Sequence, residues 1–173
     1  MNYQTHWFQS SSINPGHNYP TTQIYCWILT KDNKIAIVSK DNIKWQFPGG
    51  KPKPGEADIK ALGRELKEEI SLSLNIFESK PVFLGYYVIN ELDGNNKSVK
   101  KYLHLRYFAL CKDKSINYPV YPSEKKSEIE ENKIKFAKWV SIYEAKKLIP
   151  WLAKSEELTS FLIKYQQSGS LPH

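Results

Sequence analysis

The sequence is poor in several features that would place it in a specialised class of protein. It has two cysteines, Cys26 and Cys111, in 173 residues, too few for a disulfide scaffold in a chain long enough to build a core. No stretch approaches the ~20 apolar residues of a membrane-spanning helix. The N-terminus also lacks the basic and apolar regions of a secretory signal. We therefore expect one soluble, cytoplasmic domain without membrane association.

The composition favours a folded, basic domain. Seven Phe, five Trp and eleven Tyr supply large side chains for burial, which argues against global disorder. The formal net charge is +7, but Arg64 and Arg106 are the only arginines, whereas phosphate and base recognition favours the planar fork of arginine. No nucleic-acid-recognition motif is present. The excess of lysine is therefore interpreted as a solvated surface that by itself identifies no partner.

The order of apolar patterns predicts an α/β fold. Residues 1–20 are polar and contain two prolines, which predicts an irregular N-terminal arm before a single domain over 21–166 and a polar tail over 167–173. Segment 45–55 holds three Pro and three Gly, which predicts a loop, and charged residues 123–135 predict a solvated loop. Strands rich in β-branched and aromatic residues are predicted over 22–30, 34–39, 81–91, 98–111 and 135–140.

Helical periodicity begins at Glu56, where apolar residues recur at three- and four-residue intervals. Ser141 and Glu144 form a capping-box pattern before a helix over 142–149 that Pro150 ends. A last helix fits 155–166.

Three carboxylates, Glu65, Glu68 and Glu69, fall within an arc of about 100° on the first predicted helix. Like charges at this spacing destabilise a helix by about 0.2–0.5 kcal/mol per pair. A hard divalent cation would offset the repulsion, because Mg²⁺ and Mn²⁺ prefer oxygen ligands. For these three residues alone, a solvated acidic helix face is the commoner explanation.

The three glutamates stand in a longer pattern of fixed spacing, formed by Gly50, Glu56, Arg64, Glu65, Leu66, Glu68, Glu69 and Leu72. This pattern resembles the signature of the Nudix hydrolases, G-x5-E-x7-R-E-U-x-E-E-x-G-U, in which U is aliphatic. The resemblance implies a Nudix-type α/β/α sandwich with a mixed β-sheet between helices. At the one departure, Ser71, we expect the helix to end differently, because the left-handed conformation costs a serine about 1 kcal/mol.

The activity implied by the resemblance is hydrolysis of a pyrophosphate bond in a nucleoside diphosphate derivative, such as a nucleoside triphosphate or a nucleotide sugar. Water would attack phosphorus, with Mg²⁺, or Mn²⁺ as the alternative, supplying charge neutralisation. By position, the metal ligands would be Gly50, Glu65, Glu68 and Glu69. The general base would be Glu65 or Glu68, with Glu128 and Glu130 as alternatives from a later loop.

The remaining signature residues are expected to support the site. Glu56 and Arg64 would hold the loop against the helix, whereas Gly49 and Lys51 would contact the substrate. Aromatic residues of the strands, Tyr102 and His104 among them, could stack on a base but are interpreted as core.

Two other functions remain open. Removal of pyrophosphate from RNA 5′ ends is favoured by the net charge of +7, and is the one setting in which nucleic acid would be a partner. A non-catalytic nucleotide-sensing module on the same fold is the third hypothesis, although a sensor would not need all three carboxylates. The expected partner is a small nucleotide-like diphosphate, and a homodimer is left open.

Overall fold

The computed structural model describes residues 2–112 and 134–167 of the chain. Within these ranges the longer strands and the helices lie where the apolar patterns predict, apart from a strand over residues 2–9. Two short 3₁₀ helices occur over Leu74–Ile76 and Pro150–Lys154. The strands are β1 (Asn2–Gln9), β2 (Thr21–Leu29), β3 (Lys34–Ser39), β4 (Trp45–Gln46), β5 (Gly49–Gly50), β6 (Val82–Leu92), β7 (Ser98–Leu110) and β8 (Phe136–Ser141). The α-helices are α1 (Asp58–Ile70), α2 (Ile142–Leu148) and α3 (Glu156–Gln167).

The described strands form one mixed sheet. Its order is β1-β6-β7-β2-β3-β4, with β5 paired to β2 and β8 paired to β3. β2 and β7 run parallel, whereas the other strand pairs are antiparallel, including the predicted β6–β7 hairpin. The mixed sheet confirms the predicted fold class.

Successive side chains of a strand point to opposite faces, so the sheet buries one apolar layer on each side. Leu62 and Leu66 of α1 are fully buried in the layer that contains Ile24 and Leu105. On the other face, the ring of Phe161 in α3 stacks on that of Trp27 in β2, with centroids 4.0 Å apart. The helices therefore enclose the sheet from both sides, and the layered arrangement agrees with the predicted sandwich.

The prediction of an irregular arm is wrong for residues 2–9. β1 pairs with β6 along its whole length, from Asn2 opposite Leu92 to Gln9 opposite Gly85. All of its side chains are exposed except that of Trp7, which is half-buried. The edge strand therefore lacks the alternating apolar pattern by which a sequence reveals a strand.

The loop predicted over 45–55 also contains two regular pieces. β4 and β5 are two residues each, too short to produce a pattern in a segment so rich in proline and glycine. β5 pairs with β2, placing Gly49 opposite Tyr25 and Gly50 opposite Ile24.

Ser71 does adopt the left-handed conformation, with φ 56° and ψ 20°, so the expectation that it would avoid that region is wrong. Its N–H donates to the carbonyl of Lys67 and the N–H of Leu72 donates to that of Leu66. These bonds satisfy carbonyls at the helix end that would otherwise lack partners. Leu72 is 9% exposed and packs in the α1 layer, which fixes the turn despite its local cost.

The capping box before α2 is confirmed. The Ser141 hydroxyl accepts from the N–H of Glu144, and the Glu144 carboxylate accepts from the N–H of Ser141. Most of the predicted charged loop, with Glu128 and Glu130, and residues 168–173 of the tail lie outside the described residues. Among the helices that the structure describes, none is long and apolar enough to cross a bilayer.

Candidate active site

The segment from β5 to α1 brings the signature residues together. After β5, which pairs with β2, the chain makes a proline-rich turn. The helix α1 begins at Asp58, eight residues after Gly50. Gly49 has φ +141°, and a Cβ at this position would lie 2.1 Å from the carbonyl oxygen of Ile24. Only glycine fits so close to the neighbouring strand.

Gly50 lies directly against the first carboxylate of the helix. A Cβ built on Gly50 would lie 2.5 Å from both Cδ and Oε2 of Glu65, well inside the ordinary contact distance of about 3.5–4.0 Å. The bare glycine backbone therefore leaves the space that the Glu65 carboxylate occupies.

Arg64 joins the loop to the helix. Its Nε and Nη2 donate to the two carboxylate oxygens of Glu56 at 3.0 and 2.9 Å, and Nη2 also donates to the carbonyl of Lys51 at 3.1 Å. The hydrogen bonds from Arg64, together with one from the N–H of Lys53, hold the pKa of Glu56 at about 2. Glu56 is thus ionised at any physiological pH, and the bidentate pair fixes the loop on the helix.

The same guanidinium contacts two of the three clustered carboxylates. Nη1 of Arg64 donates to Glu65 at 2.7 Å and lies 3.5 Å from Oε2 of Glu68. The Glu65 side chain is 14% exposed, whereas that of Glu68 is 58% exposed. Glu65 is therefore held in place, and Glu68 faces solvent with one long contact.

Glu69 is the most deeply placed of the three. Its carboxylate accepts a hydrogen bond of 2.8 Å from the N–H of Gly49. Burial and the nearby charges of Glu65 and Glu68 raise its pKa to about 8, against the opposing effects of that hydrogen bond and of Lys40. Near pH 7 the Glu69 carboxyl is therefore largely protonated, and a cation bound beside it would favour the ionised form.

The donor set matches a hard divalent cation in chemical type, since carboxylate oxygens are the ligands that Mg²⁺ prefers. However, the carboxylates of Glu65 and Glu68 face the guanidinium of Arg64 rather than a common metal position. Across residues 2–112 and 134–167, no three His, Cys, Asp or Glu side chains already converge as a metal site. The residues fit a metal by chemistry and by charge, not by a preformed geometry.

Lys51 lies on the loop that joins β5 to α1. Lys51 contributes its backbone carbonyl to Arg64, and its side chain is exposed beside the loop. Glu128 and Glu130, the alternatives for the general base, lie outside the described residues and stay predictions.

Sequence patterns did not reveal Tyr25 and Arg106. The guanidinium of Arg106 lies 4.8 Å from the Tyr25 ring centroid, and burial, Glu69 and Glu65 raise the pKa of the Tyr25 hydroxyl against the effect of Arg106. Tyr25 thus connects the carboxylates to a cavity lined by Arg106, Tyr102 and His104. An arginine within the apolar segment 103–110, in a chain otherwise rich in lysine, was the available signal of a buried, paired charge.

In comparison with known proteins, residues 20–160 match the family model described as NUDIX domain. An 8-oxo-dGTP diphosphatase of Buchnera aphidicola subsp. Schizaphis graminum is 32% identical over 111 residues, which cover 57% of this chain and 85% of the relative. A second, from the subspecies Acyrthosiphon pisum, is 30% identical over 119 residues, covering 61% of this chain and 94% of the relative.

Solved structures show the same fold. A Bacillus subtilis pyrophosphohydrolase superposes with a TM-score of 0.60 at 19% identity, covering 95% of this chain and 91% of that one. A binary complex of a C. elegans Ap4A hydrolase superposes with a TM-score of 0.58 at 16% identity, covering 85% and 98%. At these identities the similarity concerns the fold alone.

Proposed function

The chain belongs to the Nudix hydrolase family, and from that premise we propose that it hydrolyses the pyrophosphate bond of a nucleoside triphosphate with a divalent metal ion. The observation that carries the proposal is the junction of Gly49 and Gly50 with Glu65 and Glu69, locked by the Arg64–Glu56 pair. Such a junction presents three clustered carboxylates beside a backbone that a phosphate chain can approach closely.

In this proposal Glu65, Glu68, Glu69 and the carbonyl of Gly50 hold Mg²⁺, with Mn²⁺ as the alternative. A bound divalent cation neutralises phosphate charge and lowers the pKa of the attacking water. The proximity of Glu65 and Glu68 to the buried Glu69 supports this assignment, because carboxylates in such a cluster repel an anionic substrate without a cation between them.

We assign the role of general base to Glu68, which would take the proton of the attacking water. Its side chain is 58% exposed and has one contact of 3.5 Å to Arg64, so a carboxylate oxygen is available to water. One oxygen of Glu65 already accepts from Arg64 at 2.7 Å, which makes Glu65 the weaker candidate. Arg64 and Glu56 position the loop and do not take part in proton transfer.

The two relatives named 8-oxo-dGTP diphosphatases support a nucleoside triphosphate as substrate and place 8-oxo-dGTP in the set to be tested. Water attack on either phosphorus of the α–β anhydride would give a nucleoside monophosphate and pyrophosphate. Nearby exposed lysines such as Lys51 are proposed to attract the phosphates.

The test is a panel of purified substrates with Mg²⁺, Mn²⁺ or a chelator, scored by release of phosphate and pyrophosphate. The panel contains the deoxynucleoside triphosphates, 8-oxo-dGTP, a nucleotide sugar and 5′-triphosphorylated RNA. The proposal predicts pyrophosphate release from a free nucleoside triphosphate, abolished by the chelator. Tight nucleotide binding without product would instead identify a non-catalytic module. Turnover of RNA alone, with steep salt dependence of binding, would identify an RNA 5′-end enzyme.

A further inference from the structure

A cavity of about 460 Å³ opens on the sheet face that carries α3. This volume lies within the range of about 300–1,000 Å³ that is usual for small-molecule sites. Its walls are largely aromatic, from Tyr3, Tyr87, Tyr102, His104 and Trp151. Such walls suit a flat heteroaromatic ring, because stacking of a base on an aromatic side chain is favourable.

Among the described residues that line the cavity, Arg106 is the one cation, and its orientation is fixed. Its guanidinium lies 4.8 Å from the ring centroid of Tyr25 and 5.2 Å from that of Tyr87. Nε donates to Oε1 of the fully buried Glu157 at 2.9 Å, and Nη1 donates to the carbonyl of Leu105 at 3.2 Å. The residue is 6% exposed, so it faces the cavity without extending into it.

Several donors of this guanidinium remain for a ligand. Arginine has five N–H donors, and those of Arg106 form only the two bonds to Glu157 and Leu105 within the described part of the chain. Burial and the charge of Arg106 lower the pKa of His104 to about 4, so that ring is neutral near pH 7. The cavity therefore offers fixed hydrogen-bond donors to whatever ring it encloses.

The cavity adjoins the proposed catalytic site through Tyr25. In the β2–β5 pair, Tyr25 lies opposite Gly49, whose N–H donates to Glu69, and the Tyr25 ring contacts Arg106. A nucleotide with its base in the cavity can thus direct its phosphates toward the Gly49–Gly50 loop.

We propose that Arg106 selects the base of the substrate by donating to a carbonyl oxygen at position 6 of a purine. Guanine, 8-oxoguanine and hypoxanthine present an acceptor there, whereas adenine presents an amino group. The donors of Arg106 would face the donors of adenine and stay unpaired, which disfavours that base. This selectivity rests on the proposed hydrolase function and adds to it the residue that recognises the base.

The first test needs no variant. Deoxyinosine and deoxyadenosine triphosphates differ only in the hydrogen-bonding groups at positions 6 and 1 of the ring. We expect kcat/KM to favour deoxyinosine triphosphate by about 10- to 100-fold, the range of one good base contact. Equal values for the two substrates, or a preference for adenine, would overturn the proposal.

The role of Arg106 is tested in a variant that removes the charges of Arg106 and its partner Glu157 together. The double variant Arg106→Gln/Glu157→Gln leaves no unpaired buried charge, and its cooperative unfolding shows whether the fold is kept. The ratio of the two kcat/KM values should fall to near one. In the matched control, Trp151→Ala, which removes a partly exposed wall, both kcat/KM values should fall and their ratio should persist. A ratio unchanged in the double variant would show that Arg106 does not select the base.

Binding of products separates this proposal from the proposed function. If no triphosphate is hydrolysed by folded protein, the hydrolase assignment fails, yet calorimetric binding of deoxyinosine and deoxyadenosine monophosphates still compares the two bases. A 10- to 100-fold preference for the inosine nucleotide, about the same contact range, would support the role of Arg106. Equal binding would contradict it.

Discussion

Replacement of Gly50 by alanine should separate activity from stability. The new Cβ would lie 2.5 Å from Cδ and Oε2 and 2.8 Å from Oε1 of Glu65. Relief of that overlap to a contact of about 3.5 Å requires the carboxylate to move by about 1 Å. Misplacement of a reacting group by this distance can cost about 100-fold in rate, so kcat/KM for the nucleoside triphosphate should fall by about two orders of magnitude.

Stability should change little in the same variant. The displaced group is the end of a flexible side chain, so we expect the free energy of unfolding in urea to change by less than about 1 kcal/mol. Gly94→Ala is the matched control, because its Cβ would meet nothing within 4 Å and both activity and stability should persist. Full kcat/KM in folded Gly50→Ala would refute the argument that the position of Glu65 matters.

Three further predictions concern stability. Ser71 adopts the left-handed conformation (φ 56°), so Ser71→Gly should raise the free energy of unfolding in urea by about 1 kcal/mol. A lower free energy of unfolding in this variant would show that the serine is not strained. Glu157→Gln leaves Arg106 (6% exposed) without its counter-charge and should cost about 3–5 kcal/mol in the same assay, whereas a change under 1 kcal/mol would contradict a buried ion pair. Because the pKa of His104 is about 4 in the folded chain, against its ordinary value of 6.5, the unfolded chain binds a proton first on acidification. Stability due to this residue is complete above pH ~6.5 and is lost as the pH falls toward 4. With a discount for partial exposure, wild type should lose about 2 kcal/mol more than His104→Gln between pH 7 and 4; equal losses would contradict the shift.

The fold followed from the sequence where burial produced a pattern. The stripe of Ile59, Leu62, Leu66 and Ile70 located α1 because one helix face packs on the sheet. β1 was missed because its side chains are mostly exposed, so its formation depends on backbone pairing with β6 rather than on apolar alternation. Ser71 was misjudged because tertiary packing of Leu72 outweighs a local conformational preference.

The candidate site was predictable in its residues but not in its contacts. Signature spacing grouped Glu65, Glu68 and Glu69, yet the engagement of two of them by Arg64 depends on side-chain geometry that no spacing encodes. The cavity could not be foreseen, since its walls come from β1, β6, β7 and the segment around Trp151. Tyr102 and His104, interpreted as core, line this cavity instead.

The most direct test of the account compares Glu68→Gln with Lys67→Gln under saturating Mg²⁺. The two residues are adjacent and exposed on α1, so neither change should disturb folding, but only Glu68 is assigned to the attacking water. The measurement is kcat for pyrophosphate release from a nucleoside triphosphate. We predict a loss of about 10²- to 10⁴-fold in Glu68→Gln and near-wild-type turnover in Lys67→Gln. Equal turnover in the two variants would contradict the account.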